Sequence, residues 1–406
     1  MKQFVYNKGI FIPKRVIPIS SNVLEGKVQC SVIDAKTKEV IKTYPEQKNL
    51  ILNQGLNNFA SNDLATLYTY AVAGTGNTPT SDDSGVTTAA QAGNTVTLVG
   101  GAFVFTDTAT DAGKMIKWDA GSEARIVTIT NPTTAVVADN KVVVAGQFTV
   151  YRTNQTGLQT EVKRSNTYFT GVGNCGVGYD DVLGKVSGFR TYDFTVEVGA
   201  VNYSEIGFSI SGVAANNLNA RILLGVAVAV GVGQQLRVKY TLSITQTPAI
   251  VSEVYATTPI TGWATGTGTG KIQHHGLSFP DVNGAIDYDS IGGQDSYGGE
   301  PNRVVQINTN SSAVAHHAWR NTTALAADIQ TKNCTVEAYT ALNFYRDKTV
   351  YYELTESVSA AIRSLYISTN ANAVPFFRYL IDAAQTKDNL HTLSLVFRLT
   401  FGRTLA

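Results

Sequence analysis

The sequence has 406 residues, a formal net charge of +1, 43% hydrophobic side chains and only 16% charged ones. The length exceeds one ordinary core and sets two or three domains as the expectation. The low charged share, against a usual ~25%, argues against long surface helices, and the neutral balance without a Lys/Arg block argues against a nucleic-acid surface. Thr, Ser, Asn and Gly fill the gap, which favours strands and turns. Cys30, Cys175 and Cys334 lie far apart and form no CxxC, so a disulfide framework is not expected. The first residues lack the apolar core of a signal peptide. The longest apolar stretch, Ile222 to Val232, is broken by Gly225 and Gly231 and falls short of the ~20 residues a membrane span needs. A soluble chain without membrane insertion is the expectation.

Ile10-Phe-Ile-Pro13 and Val16-Ile-Pro18 read as an extended N-terminal arm over residues 1–26, with Ile10, Phe11 and Ile12 able to add to a neighbour's sheet. Residues 27–44 read as a hairpin: Val28, Cys30 and Val32 alternate, Asp34–Lys38 supplies turn chemistry, and Val40-Ile41 resumes. Leu50–Leu52 suits a short buried strand, Gly55 a break, and Leu56, Phe59, Leu64 and Leu67 a short helix. Tyr68 to Val72 is a further strand, and 73–91 is a Gly/Thr/Asp-rich loop.

Six short strands then follow within about 60 residues: Val96–Val99, Phe103–Thr106, Met115–Trp118, Ala124–Ile129, Ala135–Val137 and Phe148–Tyr151. That density predicts a small barrel or sandwich. If residues 81–152 are removed, the flanking phrases join smoothly, so the barrel reads as an insertion in a surface loop, where insertions cost little.

Residues 188–245 are strongly β. In the last strand Leu236, Val238, Tyr240, Leu242 and Ile244 face one way, as in a half-buried strand with a polar outer face. Residues 348–401 replay the pattern strand for strand at an offset of about 157 positions, and Ala220-Arg-Ile-Leu-Leu is echoed by Phe377-Arg-Tyr-Leu-Ile. A near-constant offset over four strands predicts a duplication. Between the copies, 246–345 is rich in Gly, Asn, Ser and Asp; Ser311–Trp319 reads equally as strand or short helix.

The chain is poor in recognisable chemistry. His274-His275 and His316-His317 invite a metal, but neighbours on a strand point to opposite faces and one pair rarely chelates. Asp281, Asp287 and Asp289 are oxygen-rich without EF-hand spacing. Gly262–Gly270 lacks the GxxxxGK[ST] phosphate cradle, and Gly171-Val-Gly173 opens no helix after a parallel strand. No catalytic residue, cofactor or metal is assigned. Trp263, Tyr288, Tyr297 and Trp319, beside glycines, are candidates for a core, an interface or a sugar-binding surface.

Several phrases carry a resemblance. Lys48-Asn-Leu-Ile-Leu-Asn-Gln-Gly-Leu-Asn follows the hairpin and leads to Ala-Val-Ala-Gly-Thr-Gly-Asn-Thr-Pro. Later come Ile206-Gly-Phe-Ser, Asn217-Leu-Asn-Ala-Arg-Ile-Leu-Leu and Gly233-Gln-Gln-Leu-Arg-Val-Lys-Tyr, and the ending Lys387–Arg403. Together these resemble tailed-bacteriophage virion proteins of the tail and tail-fibre type, and the inserted stretch from Phe103 to Trp118 is similar to small β modules of phage tail proteins. The resemblance implies a structural role in a virion tail (fibre, fibre adaptor, tail tip or neck), assembled in the host cytoplasm. Its implied partners are other tail proteins and copies of itself. A receptor- or glycan-binding module, a capsid decoration protein and a depolymerase are the competing expectations.

The expected fold is all-β: two related antiparallel β-sandwich, jelly-roll-like domains with a small β-barrel inserted in the first. The first sandwich takes residues 27–80 and 153–250, the barrel 81–152, and the second sandwich with its loop-rich connector 251–406.

Overall fold

The computed structural model describes residues 15–61, 69–171, 175–180, 185–214, 217–248, 253–255, 266–272, 304–308, 328–332, 335–353, 358–368, 375–387 and 393–405. It is mostly β, in antiparallel sheets. β1 (Arg15–Asp34), β2 (Val40–Thr43) and β3 (Gln47–Ile51) lead into α1 (Asn53–Ser61) and β4 (Tyr70–Gly74). The inserted module holds β5 (Ser81–Asp83), β6 (Thr88–Val99), the single turn α2 (Thr108–Asp111), β7 (Met115–Trp118), β8 (Glu123–Asn131), β9 (Thr134–Gly146) and β10 (Phe148–Tyr151). The chain returns through β11 (Glu161–Ser165), β12 (Cys175–Asp180), β13 (Lys185–Asp193), β14 (Val201–Ser209), β15 (Leu218–Val230) and β16 (Gln234–Pro248). Then come β17 (Glu253–Tyr255), β18 (Gly266–Ile272), β19 (Val304–Asn308), β20 (Asp328–Lys332) and β21 (Thr335–Val336). β22 (Tyr345–Tyr352), β23 (Val358–Ser368), β24 (Pro375–Lys387) and β25 (Leu393–Arg403) complete the described strands.

The main sheet runs β11-β4-β14-β15-β3-β1-β16-β13-β12, with β2, β25, β22 and β21 branching from β1. β1 organises it. One edge of β1 pairs with β16 from Ser20 to Asp34, while the other is shared in turn by β25, β3 and β2. Between β14 and β16 lie three strands, so in a flat sheet they would stand roughly 19 Å apart at ~4.8 Å per step. Yet the ring of Phe208 on β14 lies 3.8 Å from that of Tyr240 on β16. The sheet therefore curls until its halves face each other across one core, which includes Val28, Cys30, Val32, Tyr192, Phe208 and Leu236.

The alternation in β16 holds: Leu236, Val238, Tyr240, Leu242 and Ile244 are all buried. So does the hairpin. The Asp34 carboxylate accepts from the backbone N–H groups of Lys36 and Thr37, and Lys38 takes the left-handed conformation.

The inserted module is one sheet, β5-β10-β7-β8-β9-β6, over its own core of Val96, Phe105, Ile116, Trp118, Ile126 and Phe148. Its two outermost strands, β5 and β6, are consecutive in sequence. That connection requires the sheet to curl, and Trp118 on β7 donates from its indole across the interior to Ala89 O on β6. The two ends of the module meet, with Arg152 N donating to Thr80 O and Tyr151 paired with Ser81.

The strand pairing of the two repeats agrees. In the first, β13 pairs with β16 and β14 with β15; in the second, β22 pairs with β25 and β23 with β24, all antiparallel. Register agrees in one pair, where Thr191 faces Lys239 and the equivalent Thr349 faces Val396, but not in the other: Phe208 faces Ala220, whereas the equivalent Ser364 faces Leu380 and not Phe377. The copies differ in where their halves go. In the first, both hairpins belong to the main sheet; in the second, β23 and β24 lie in a separate sheet, β17-β18-β24-β23-β19-β20.

Four expectations need correction. Residues 15–26 are not a free arm; they form the first half of β1, clasped by β25 in parallel register. The boundary at 251 does not part the sheets, because β22 and β25 complete the main one. Gly55 does not break the chain but sits inside α1, where a Cβ would stand 2.3 Å from Asn219 O. Phe103–Thr106 is not a strand. Instead it is anchored by Phe105 N to Pro132 O and places the Phe103 ring edge-on to Phe105 and Phe148. The N–H groups of Phe103, Phe105 and Thr106 are satisfied by Thr87 Oγ1, Pro132 O and Asp111 Oδ2 without a ladder.

Candidate functional site

The residues singled out by sequence as an interaction surface, Ile10, Phe11, Ile12, Trp263, Tyr288, Tyr297 and Trp319, lie outside the described residues. So do all five histidines, Asp281, Asp287 and Asp289. Among the described residues no group of His, Cys, Asp or Glu is placed to hold a metal ion. No described helix is long and apolar enough to cross a membrane.

Polar side chains instead converge where the main body grips the two legs of the inserted module. Glu205 on β14 and Arg221 on β15 lie on neighbouring antiparallel strands and are both 0% exposed. Arg221 donates through Nε and a terminal nitrogen to Glu205 Oε2, at 3.0 and 2.8 Å. It also donates to Gln155 Oε1 on the returning leg and to Thr78 O on the outgoing one. The Glu205 carboxylate accepts from the backbone N–H groups of Gly76, Gln159 and Thr160. Gln159 Oε1 in turn accepts from the N–H groups of Asn77 and Thr78.

A buried ion pair is tolerable only when further bonds satisfy its remaining donors and acceptors. Here those bonds go to the legs, so the charge is spent on fixing where the module leaves and re-enters. Gly76 is the corresponding sequence requirement, since a Cβ there would lie 2.3 Å from Glu205 Oε1. Sequence reading noticed the Arg inside the apolar run of β15 but had no signal for its partner, because Glu205 is distant in sequence and adjacent only through the β14–β15 register.

A second cluster lies by the β15–β16 turn. Buried Glu197 accepts from the Tyr203 hydroxyl at 2.6 Å and pairs with Lys163 at 2.7 Å. Burial, reinforced by the carboxylate beside it, pushes the Tyr203 phenol far above its ordinary range. Cys30 is buried on β1, and burial pushes its thiol up to about 12, so it stays protonated and unreactive at neutral pH.

Among the described residues the module carries the most exposed aliphatic strand surface. Ala135 and Val137 on β9 face its core, while Val142 and Val144 point outward at 86% and 85% exposure. Ala92, itself exposed, is the direct cross-strand partner of Val142 on β6. Beyond Val137, β9 pairs with β6 on one side and has no described pairing with β8 on the other. The arrangement offers apolar area beside a strand edge with no described strand partner.

Comparison with protein-family models, with curated proteins and with solved structures finds no match to this chain.

Proposed function

We propose that this chain is a structural component of a bacteriophage virion tail, working through protein–protein assembly rather than through catalysis. The reading joins the resemblance of its phrases to tail proteins with one observation that carries it, the Val142–Val144 surface of a firmly gripped inserted module. Exposed aliphatic side chains on a strand, one edge of which has no described strand partner, suit burial against another protein. The partners are other tail proteins and copies of the same chain.

The test joins two measurements. Mass spectrometry and labelled-antibody electron microscopy of purified tailed particles are expected to find the chain in the tail. The double variant Val142→Asp/Val144→Asp is expected to fold with an unchanged circular dichroism spectrum but to be lost from particles at least ~10-fold, as when a desolvated interface contact is replaced by charge. Absence of the chain from purified particles overturns the tail assignment; normal incorporation of the variant overturns this surface as the assembly face.

A further inference from the structure

The inserted module has its own core, and no residue of that core comes from the last strand of the chain. Even so, the end of β25 touches the module at several points. Arg403, buried, donates to Ile51 O at 2.7 Å and to Asn53 Oδ1 at the start of α1. Asn53 passes the contact on, its amide donating at 2.7 Å to Gly113 O in the module. Thr404 N donates to Leu24 O on β1. Leu405, 3% exposed, packs with Leu50, Leu52, Val72 and Leu218 of the main body and with Tyr151 of the module, and its carbonyl accepts from Lys117 Nζ on β7 at 3.0 Å. Just before β22, Leu342 O accepts from Arg125 of β8, and Phe344 lies beneath the Arg125 guanidinium.

From this convergence we propose that Arg403–Leu405 is a latch that locks the module against the main body, so that zipping β25 along β1 and fixing the module's orientation are one event. The Glu205–Arg221 clamp sets where the legs run, and Thr153 and Asn154 on the returning leg donate to Gly113 O, Thr110 O and Ala112 O of the module; these ties all lie beside the Thr80–Arg152 crossing and leave the module free to tilt about it. The latch removes that freedom by filling the hinge with Leu405 and tying both sides of it to one strand end. The second repeat thereby governs a module inserted in the first. The proposal goes beyond the assembly role and does not depend on it.

The test is made on the isolated full-length chain. Spin labels on unnatural amino acids at Val142 in the module and Val198 in the main body, both exposed, report the distance between them. The unsubstituted chain is expected to give one narrow distribution, and Leu405→Asp one broadened about twofold or more, as for domains released from a fixed interface. Hydrogen exchange within β6–β10 is expected to stay as slow as in the parent. If Leu405→Asp loses its β-sheet circular dichroism, Leu405→Ala and Arg403→Gln are read in its place. An unchanged distribution in folded variants overturns the latch. So does loss of protection inside the module, which would make Leu405 part of the module's own folding.

Discussion

Glu205 shows how one residue can be required without touching any ligand. Its carboxylate gathers three backbone N–H groups and a guanidinium while fully buried. Removing one partner of a buried pair strands the other, at a cost of about 3–5 kcal/mol. Glu205→Ala is therefore expected to lower unfolding free energy by about that amount in urea titrations. The apolar double replacement Glu205→Leu/Arg221→Met is expected to lose less, yet not to recover fully, since the N–H of buried Gly76 loses its acceptor at ~1–3 kcal/mol. A double variant as stable as the parent would show that the leg contacts contribute nothing.

Cys30 gives a pH prediction. Its folded pKa is raised from 9.0 to about 12, so the fold favours the protonated thiol. That contribution is fully present below pH 9 and is lost as pH rises from there through about 12. The thiol is expected to resist a disulfide reagent at pH 8 until the protein is unfolded by denaturant; rapid labelling of the native chain would contradict its burial.

Among elements, the β13–β16 and β22–β25 pairs share a device. Asp193 and Arg237 face each other across the first and bond at 2.6 and 2.9 Å, with the guanidinium 3.7 Å over the Phe169 ring. Asp347 and Arg398 do the same across the second, with Arg398 3.6 Å over Tyr345. Both pairs are partly exposed, so each bridge is worth little as charge alone. The planar fork and the stacked ring add what an ammonium lacks. Arg237→Lys is accordingly expected to cost ~1 kcal/mol while Lys239→Arg costs nothing measurable, read from thermal unfolding midpoints; equal effects would reduce the bridge to generic surface charge.

Elements were legible in proportion to how strictly one face is buried. The alternation of β16 and of Val28, Cys30 and Val32 could be read because a slip by one residue would turn every apolar side chain to water. Gly55 was misread because a helical glycine and a breaking glycine look alike until Asn219 is seen against it. Phe103–Thr106 was misread because aromatic alternation also describes a segment that plugs a core without pairing. The exposed Val142 and Val144 could not be singled out, since valines in a strand read as core until the module's inside is known.

For the molecule as a whole, an offset of about 157 positions was readable; both segments pair their strands antiparallel in the same combinations, but β23 and β24 differ from β14 and β15 in register and in the sheet they join. What the chain by itself determined is local: the β class, the turns, the two ends of the insertion and the strand pattern of each repeat. These follow from periodicity and turn chemistry, which act between neighbours in sequence. Only the tertiary structure decided that β25 returns to lie parallel along β1, that Glu205 meets Arg221 and the legs, and that Leu405 fills the gap beneath the module. Those contacts join residues far apart along the chain and hold because each closes a hydrogen bond or buries an apolar surface that no local pattern encodes.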